Sequence, residues 1–109
     1  MAKNYVQEGD VLDYKAGATG VVSGLMVAMG KRVGIALRDI APHETGSVAV
    51  TGVWNVAKLP TDVVVQGDVL YWDADDFRLT LTEGTNTLAG YAAASAGNGA
   101  ATVLIKINA

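Results

Sequence analysis

The chain has 109 residues, of which 13 are glycine and none is cysteine, and its formal net charge at pH 7 is −3. Half of the residues are hydrophobic and only 17% are charged, which argues against intrinsic disorder and predicts one small domain whose surface is unusually uncharged or partly covered. The acidic balance argues against nucleic-acid binding, which needs clustered lysine and arginine, and the lack of cysteine excludes disulfides, thiolate metal sites and a cysteine nucleophile.

The residues between the glycines favour β-strands. Valine occurs 15 times and threonine nine times, and the spacing of the glycines leaves no window for a long amphipathic helix. In chain order, strands are predicted at residues 11–15, 20–23, 25–29, 34–39, 47–58, 68–72, 78–82, 87–93 and 101–107. The predicted fold is all-β, a small single-domain β-barrel or β-sandwich over residues 10–109 with short strands and glycine-rich turns. Residues 1–9 are predicted to form a flexible N-terminal arm.

The clearest predicted strand covers residues 47–58. One parity of this strand carries the bulkier side chains and is predicted to be buried in the core; it consists of Val48, Val50, Trp54 and Val56. Gly52 interrupts this parity and is expected to form a bulge or a close backbone approach. The last predicted strand alternates valine and isoleucine with leucine, lysine and asparagine, and this pattern is interpreted as an edge strand.

A short pattern occurs twice. Residues 6–12 read VQEGDVL and residues 65–70 read VQGDVL, and an aromatic residue follows each copy. A Gly-Asp turn that leads into a strand explains both copies without a ligand. The pattern therefore predicts two similar turns in one domain, each leading into a strand.

The first ten residues lack the apolar stretch of a signal peptide, and the longest apolar run, residues 20–30, is about half the length that spans a bilayer. The absence of cysteine fits a reducing cytoplasm. These features predict a soluble domain of intracellular type without a membrane segment.

The single histidine, His43, lies between Pro42 and Gly46, two residues that mark a loop. Glu44 is its neighbour, but no nucleophile or second base lies nearby in the sequence. His43 is therefore predicted to be a polar loop residue, and the chain is not predicted to be an enzyme.

Three aspartates, Asp73, Asp75 and Asp76, superficially suggest a calcium loop. An EF-hand counted from Asp73 would need glycine at its sixth position and glutamate at its twelfth, where this chain has Arg78 and Gly84. The interpretation favoured here is an acidic tight turn between two strands, and weak cation binding is left open. No cofactor and no metal site are predicted.

Aromatic residues flank this acidic turn. Tyr71, Trp72 and Phe77 could form a stacking platform for single-stranded nucleic acid only together with a basic groove, and the eight basic residues are dispersed along the chain. Core packing or a protein–protein contact is the simpler interpretation of these rings.

Several blocks of the sequence together resemble a known family. Residues 44–54 (ETGSVAVTGVW), 66–73 (QGDVLYWD) and 90–92 (GYA), followed by a closing strand at residues 103–107, resemble in content and order the DUF2190 family of tailed-phage capsid decoration (cement) proteins. The resemblance covers most of the chain. It implies a compact all-β protein that sits on the outer face of an icosahedral shell at local symmetry axes.

The resemblance implies a structural virion protein that is made in the host bacterial cytoplasm and stabilises the phage head. Its partners would be the major capsid protein and further copies of itself, commonly as trimers and in some cases as dimers, with no nucleic acid and no membrane. The candidate capsid or subunit contacts are Tyr5, Val6 and Gln7 of the arm and Tyr71 and Trp72 near the acidic turn. The alternative is a small β-barrel binding module for nucleic acid or a small ligand.

Overall fold

The computed structural model describes residues 9–109, and over this range the chain forms nine β-strands and no helix. The strands are β1 (Val11–Lys15), β2 (Met26–Met29), β3 (Arg32–Ala36), β4 (Thr45–Ala49), β5 (Val53–Ala57), β6 (Val69–Asp73), β7 (Arg78–Thr80), β8 (Thr87–Ala92) and β9 (Thr102–Ile107). The predicted all-β class is confirmed. The predicted arm lies outside the described residues except for Gly9.

The strands form two antiparallel sheets. The first sheet has the order β1-β4-β3-β2 and the second has the order β5-β9-β8-β6-β7. The second sheet curls so that its two edge strands, β5 and β7, approach each other. A parallel bridge joins Lys58, just after β5, to Leu79 in β7. The Leu59 N–H also donates to the Leu79 carbonyl at 2.8 Å. The result is a sheet that closes part of the way into a barrel.

The main core lies between the two sheets. Met26, Val33 and Ile35 of the first sheet share one buried cluster with side chains of the second sheet, among them Leu70 and Ile105. The alternate residues of the first sheet, such as Val27 and Ala36, point the other way into a smaller cluster that loop residues cover. β2 and β3 therefore bury side chains on both faces of the first sheet, whereas β1 at its edge is mostly exposed and the second sheet buries one face only.

The predicted strand at residues 47–58 is wrong as a single element. β4 and β5 belong to different sheets, and the chain turns between them at Gly52, whose φ is +104°. Val48 and Val56 are buried, but Val50 and Trp54 are only half-buried. The Trp54 indole N–H donates to the Thr51 carbonyl at 2.9 Å, so this ring covers the turn and packs against the main core from its edge.

β9 is an interior strand and not the edge strand that its alternation suggested. It lies between β5 and β8, with Val103, Ile105 and Ile107 buried and the intervening side chains exposed. An interior strand of a sheet that is buried on one face alternates in the same way as an edge strand. The alternation therefore reports burial and carries no information about position in the sheet.

Residues 20–23 do not form the predicted strand; Val21 only makes an isolated bridge to Ile40. They lead into one of four similar β-turns, at residues 22–25, 41–44, 65–68 and 97–100, each closed by a backbone hydrogen bond of 2.9–3.1 Å from its fourth residue to its first. The third residue of each turn has a positive φ, as in a type II turn; these residues are Gly24, His43, Gly67 and Gly99.

The repeated Gly-Asp pattern marks the equivalent beginnings of two strands, β1 and β6. Gly9 and Gly67 both have positive φ, and each precedes an aspartate that leads into its strand. The Asp10 carbonyl accepts from the Val50 N–H at 2.9 Å, and the Asp68 carbonyl accepts from the Ala92 N–H at 2.8 Å. The two strands therefore begin with the same kind of backbone contact.

A buried lysine holds the connection after β5. Lys58 is 2% exposed, and its Nζ donates to the carbonyls of Leu59, Pro60 and Asp62 at 3.0, 3.3 and 2.7 Å. The Asp62 carboxylate in turn accepts from the Thr80 hydroxyl at 2.9 Å. This polar cluster fixes the loop that closes the second sheet.

The side chain of Asn108 joins the two sheets. Its amide Nδ2 donates to the carbonyls of Val33 and Val50 at 2.7 and 2.9 Å, and its Oδ1 accepts from the Val33 N–H at 3.0 Å. The Asn108 N–H donates to the Ala89 carbonyl of β8 at 2.8 Å. The pairing of β3 with β4 ends at Ile35, so β4 does not reach Val33. The Asn108 side chain bonds the N–H and carbonyl of Val33 in its place.

We predict that Asn108→Ala lowers the free energy of unfolding by about 2–4 kcal/mol, because three half-buried hydrogen bonds are worth roughly 0.5–1.5 kcal/mol each. Asn108→Gly keeps the positive φ of +58° available and separates the loss of the amide from backbone strain. Urea denaturation measures both changes. Asn86→Ala is the control, since its amide donates one exposed bond to Thr82; an equal loss there would contradict the role assigned to Asn108.

We predict that Gly90→Ala lowers the free energy of unfolding by at least about 1–3 kcal/mol, the usual cost of steric overpacking. Gly90 has a φ of +150°, and a Cβ at this position would collide with the carbonyl oxygen of Lys106 on β9. Gly97→Ala is the matched control, because its Cβ would meet nothing within 4 Å. Thermal unfolding of both variants tests the prediction, and equal midpoints would refute it.

Candidate interaction surfaces

The acidic segment forms the tip of the β6–β7 hairpin. The Asp73 Oδ1 accepts from the N–H groups of Asp75 and Asp76 at 3.1 and 3.3 Å. Asp76 pairs with Arg78 at 3.5 Å on the surface. The predicted acidic tight turn is therefore present, and one carboxylate oxygen of Asp73 is already used to shape it.

His43 is an exposed turn residue. Its φ is +63°, and its backbone N–H donates to the Gly17 carbonyl at 3.1 Å. Within residues 9–109, no three His, Asp or Glu side chains lie close enough together to hold a metal ion. The geometry therefore places His43 in a turn, as predicted.

Phe77 stands out at the acidic tip. Its side chain is 56% exposed, and its φ is +55°. A positive φ is uncommon for a non-glycine residue and is a marked outlier for a bulky one, because Cβ crowds the backbone in this conformation. The hairpin therefore presents an aromatic ring to solvent in a backbone state that glycine or asparagine would adopt at lower free energy.

Two adjoining clefts lie beside Phe77, between the hairpin tip and the loops of the first sheet. One has the floor residues Val21 and Met26 and also contacts Trp72. The other is walled by Val22, Pro42 and Asp39, and Phe77 borders both. The second cleft is mostly apolar and the first is mixed, so an apolar surface extends from the exposed ring chiefly into the second cleft. We call the ring with these two clefts the Phe77 surface.

The outer face of the second sheet is a second apolar surface. Val53, Lys106, Tyr91 and Val69 lie side by side across four strands, and Leu104 lies beside them on β9. Val53, Val69 and Leu104 are exposed, and the Lys106 Nζ lies 6.0 Å from the centre of the Tyr91 ring. Few charged groups interrupt this face, as in the centre of a protein–protein interface.

The two candidate contacts near the acidic turn lie on opposite faces of β6. Tyr71 is half-buried and points outward, so it extends the outer face of the second sheet. Trp72 is 3% exposed and packs in the main core, which leaves it almost no surface for a partner. Tyr5, Val6 and Gln7 lie outside the described residues.

Sequence reasoning placed Phe77 among the rings that flank the acidic turn but did not single it out. Nothing in the sequence shows that its φ is positive. The only available signal was an aromatic residue in a hairpin loop position where glycine or asparagine is usual. The outer face was missed because Val53 and Leu104 look like ordinary strand residues in sequence.

Comparison with protein families adds the decisive observation. A family model described as phage cement protein matches residues 6–107. The chain belongs to the phage cement protein family. This match spans all nine strands of the two sheets. Comparison with curated proteins and with solved structures gives no match.

Membership of the phage cement protein family supports a role in phage capsid decoration and a place on the virion. The resemblance read from the sequence is confirmed at this level. In the described part of the chain, no helix is long and apolar enough to cross a membrane.

We predict that the acidic tip depends on Asp73 for its shape and not on calcium. Asp73→Ala should lower the free energy of unfolding by about 1 kcal/mol through the loss of its two backbone hydrogen bonds, whereas calcium or chelator should leave the melting temperature of the wild type unchanged. Asp75→Ala, at an exposed position of the same turn, is the control. A calcium-dependent rise in melting temperature that Asp73→Ala abolishes would instead establish a cation site.

Proposed function

We propose that this phage cement protein binds the outer face of the assembled phage head and stabilises the shell by holding neighbouring major capsid subunits together. The observation that carries the proposal is the family match over residues 6–107. We also propose that the protein is made in the host bacterial cytoplasm and acts without a cofactor and without catalysis.

The stabilisation would arise by mass action. A ligand that binds only the assembled and expanded lattice stabilises that lattice by RT ln(1 + [L]/Kd) at each site. A shell offers many equivalent sites, and copies that also touch one another bind with avidity. Modest contacts per copy are then enough to protect the whole particle.

The outer face of the second sheet supports self-association, because it combines exposed aliphatic side chains with tyrosines. Lys106 is the charged residue in its central row. We propose that copies associate through this face as a homo-oligomer, with a trimer favoured and a dimer as the other arrangement. Tyr71 extends this face and is proposed as a subunit contact. The arm, with Tyr5, Val6 and Gln7, is proposed to contribute to capsid binding.

The alternative, a nucleic-acid or small-ligand binding module, has less support from the surface. Lys58 is buried, and Arg78 is paired with Asp76. Exposed cations lie on different parts of the protein, among them Lys31 and Arg32 at the β2–β3 turn and Lys106 on the outer face of the second sheet over Tyr91. Such dispersed cations do not form the continuous basic groove that single strands require.

We predict that the purified protein cosediments with undecorated expanded heads of its own phage and raises the temperature at which they break. Unexpanded heads and a DNA gel shift at moderate salt are the controls, and neither should show binding. Failure to sediment with expanded heads would end the cement proposal, and a DNA shift at similar concentration would favour the alternative.

The arm is tested in the same assay by deleting residues 2–7. We expect the deletion to leave the thermal midpoint of the free protein nearly unchanged and to reduce the number of copies retained on heated heads. Full retention of the truncated protein would show that the arm has no part in binding.

A further inference from the structure

The strongest unassigned feature is the Phe77 surface. Among residues 9–109, the non-glycine residues with a positive φ are His43, Phe77 and Asn108. His43 follows a proline in a β-turn, and asparagine tolerates this conformation. Phe77 has neither advantage, and its ring is mostly in solvent, so packing within the chain does not explain why a bulky residue stands there.

Phe77 is not an isolated exposed ring, because it borders two clefts that a partner side chain could enter. Val22 on the facing loop is 63% exposed, and Leu25 and Pro42 continue the apolar lining of the clefts. A partner side chain that entered a cleft would contact the Phe77 ring on one side and the loops of the first sheet on the other. Burial of aromatic and aliphatic groups at such a concave site is typical of the energetic centre of an interface.

Among the charged residues that line the two clefts or lie on the hairpin, four are aspartates and Arg78 is the cation. Asp73, Asp75 and Asp76 lie on the hairpin, and Asp39 lines the second cleft. Arg78, the cation on this hairpin, is already paired with Asp76. Electrostatic complementarity therefore selects a partner that carries lysine or arginine beside the inserted apolar group.

We propose that the Phe77 surface is the capsid-docking site, and that its occupant is a segment of the major capsid protein in which an apolar side chain is flanked by lysine or arginine. This inference rests on the proposed cement function. A second copy of this chain is disfavoured as the occupant, because a two-fold contact would bring the aspartates of the two acidic tips together.

If the Phe77 surface docks on the capsid, Phe77→Asn should weaken binding without lowering stability. This substitution removes the ring and places a residue that accepts positive φ, so the thermal midpoint of the free protein should be equal to or above that of the wild type. Its affinity for expanded heads should nevertheless fall at least tenfold, as for an interface hot spot. Sedimentation with heads at graded protein concentrations measures the affinity, and calorimetry measures the midpoint.

Val63→Asn is the matched control. Val63 is 57% exposed and Phe77 is 56% exposed, but Val63 does not line either cleft. It should bind heads like the wild type. Val22→Asn changes the same cleft from another loop and should also weaken binding. If Phe77→Asn lowers the thermal midpoint by more than about 5 °C, the Val22→Asn result decides the test. Asp75→Asn should weaken binding and reduce its sensitivity to salt.

The outcomes separate this inference from the proposed function. If the wild type does not bind expanded heads, the cement proposal fails. If the wild type binds and both Phe77→Asn and Val22→Asn bind equally well, the docking inference is wrong and the cement proposal stands. If Phe77→Asn instead changes the mass of the free oligomer in analytical ultracentrifugation, the occupant is a second copy, which also overturns the inference.

Discussion

The whole fold depends on the point where the chain leaves one sheet and joins the other. β4 ends at Ala49 and β5 begins at Val53, so the backbone of β3 at Val33 loses the neighbour that would have continued the ladder. The Asn108 amide takes that place by both donating to and accepting from Val33. Because an unpaired buried backbone group costs free energy, this one side chain allows the sheets to diverge without leaving the gap unsatisfied.

This constraint ties the end of the chain to its middle. Asn108 follows β9, an interior strand of the second sheet, and its side chain reaches the first sheet. Gly90 admits the close contact of β8 with β9 that brings the chain to this position. The two sheets are therefore held together by specific polar contacts as well as by the shared apolar core. This scaffold carries the strained residue Phe77 on the hairpin between β6 and β7.

The arrangement leaves two surfaces for partners, and they differ in chemistry. The outer face of the second sheet is broad and nearly uncharged, with Tyr91 and Lys106 at its centre, which suits contact between like subunits. The Phe77 surface is concave, apolar and rimmed by aspartates, which suits a different and basic partner. In the proposed function, the outer face of the second sheet contacts neighbouring copies and the Phe77 surface contacts the capsid lattice.

The sequence by itself determined the all-β class, the glycine-rich turns, the acidic hairpin tip and the family, because turn chemistry and residue type act locally along the chain. Seven of the predicted strand positions overlap single strands, whereas residues 47–58 fell into two strands and residues 20–23 into none. Only the tertiary structure decided that β9 is interior, that Trp72 is buried while Tyr71 faces outward, and that Asn108 bridges the sheets. These features depend on which strands pair across long separations, and alternation along one strand does not encode its neighbours. The exposed ring of Phe77 required the same information, because its backbone conformation is set by the hairpin and its clefts by loops of the other sheet.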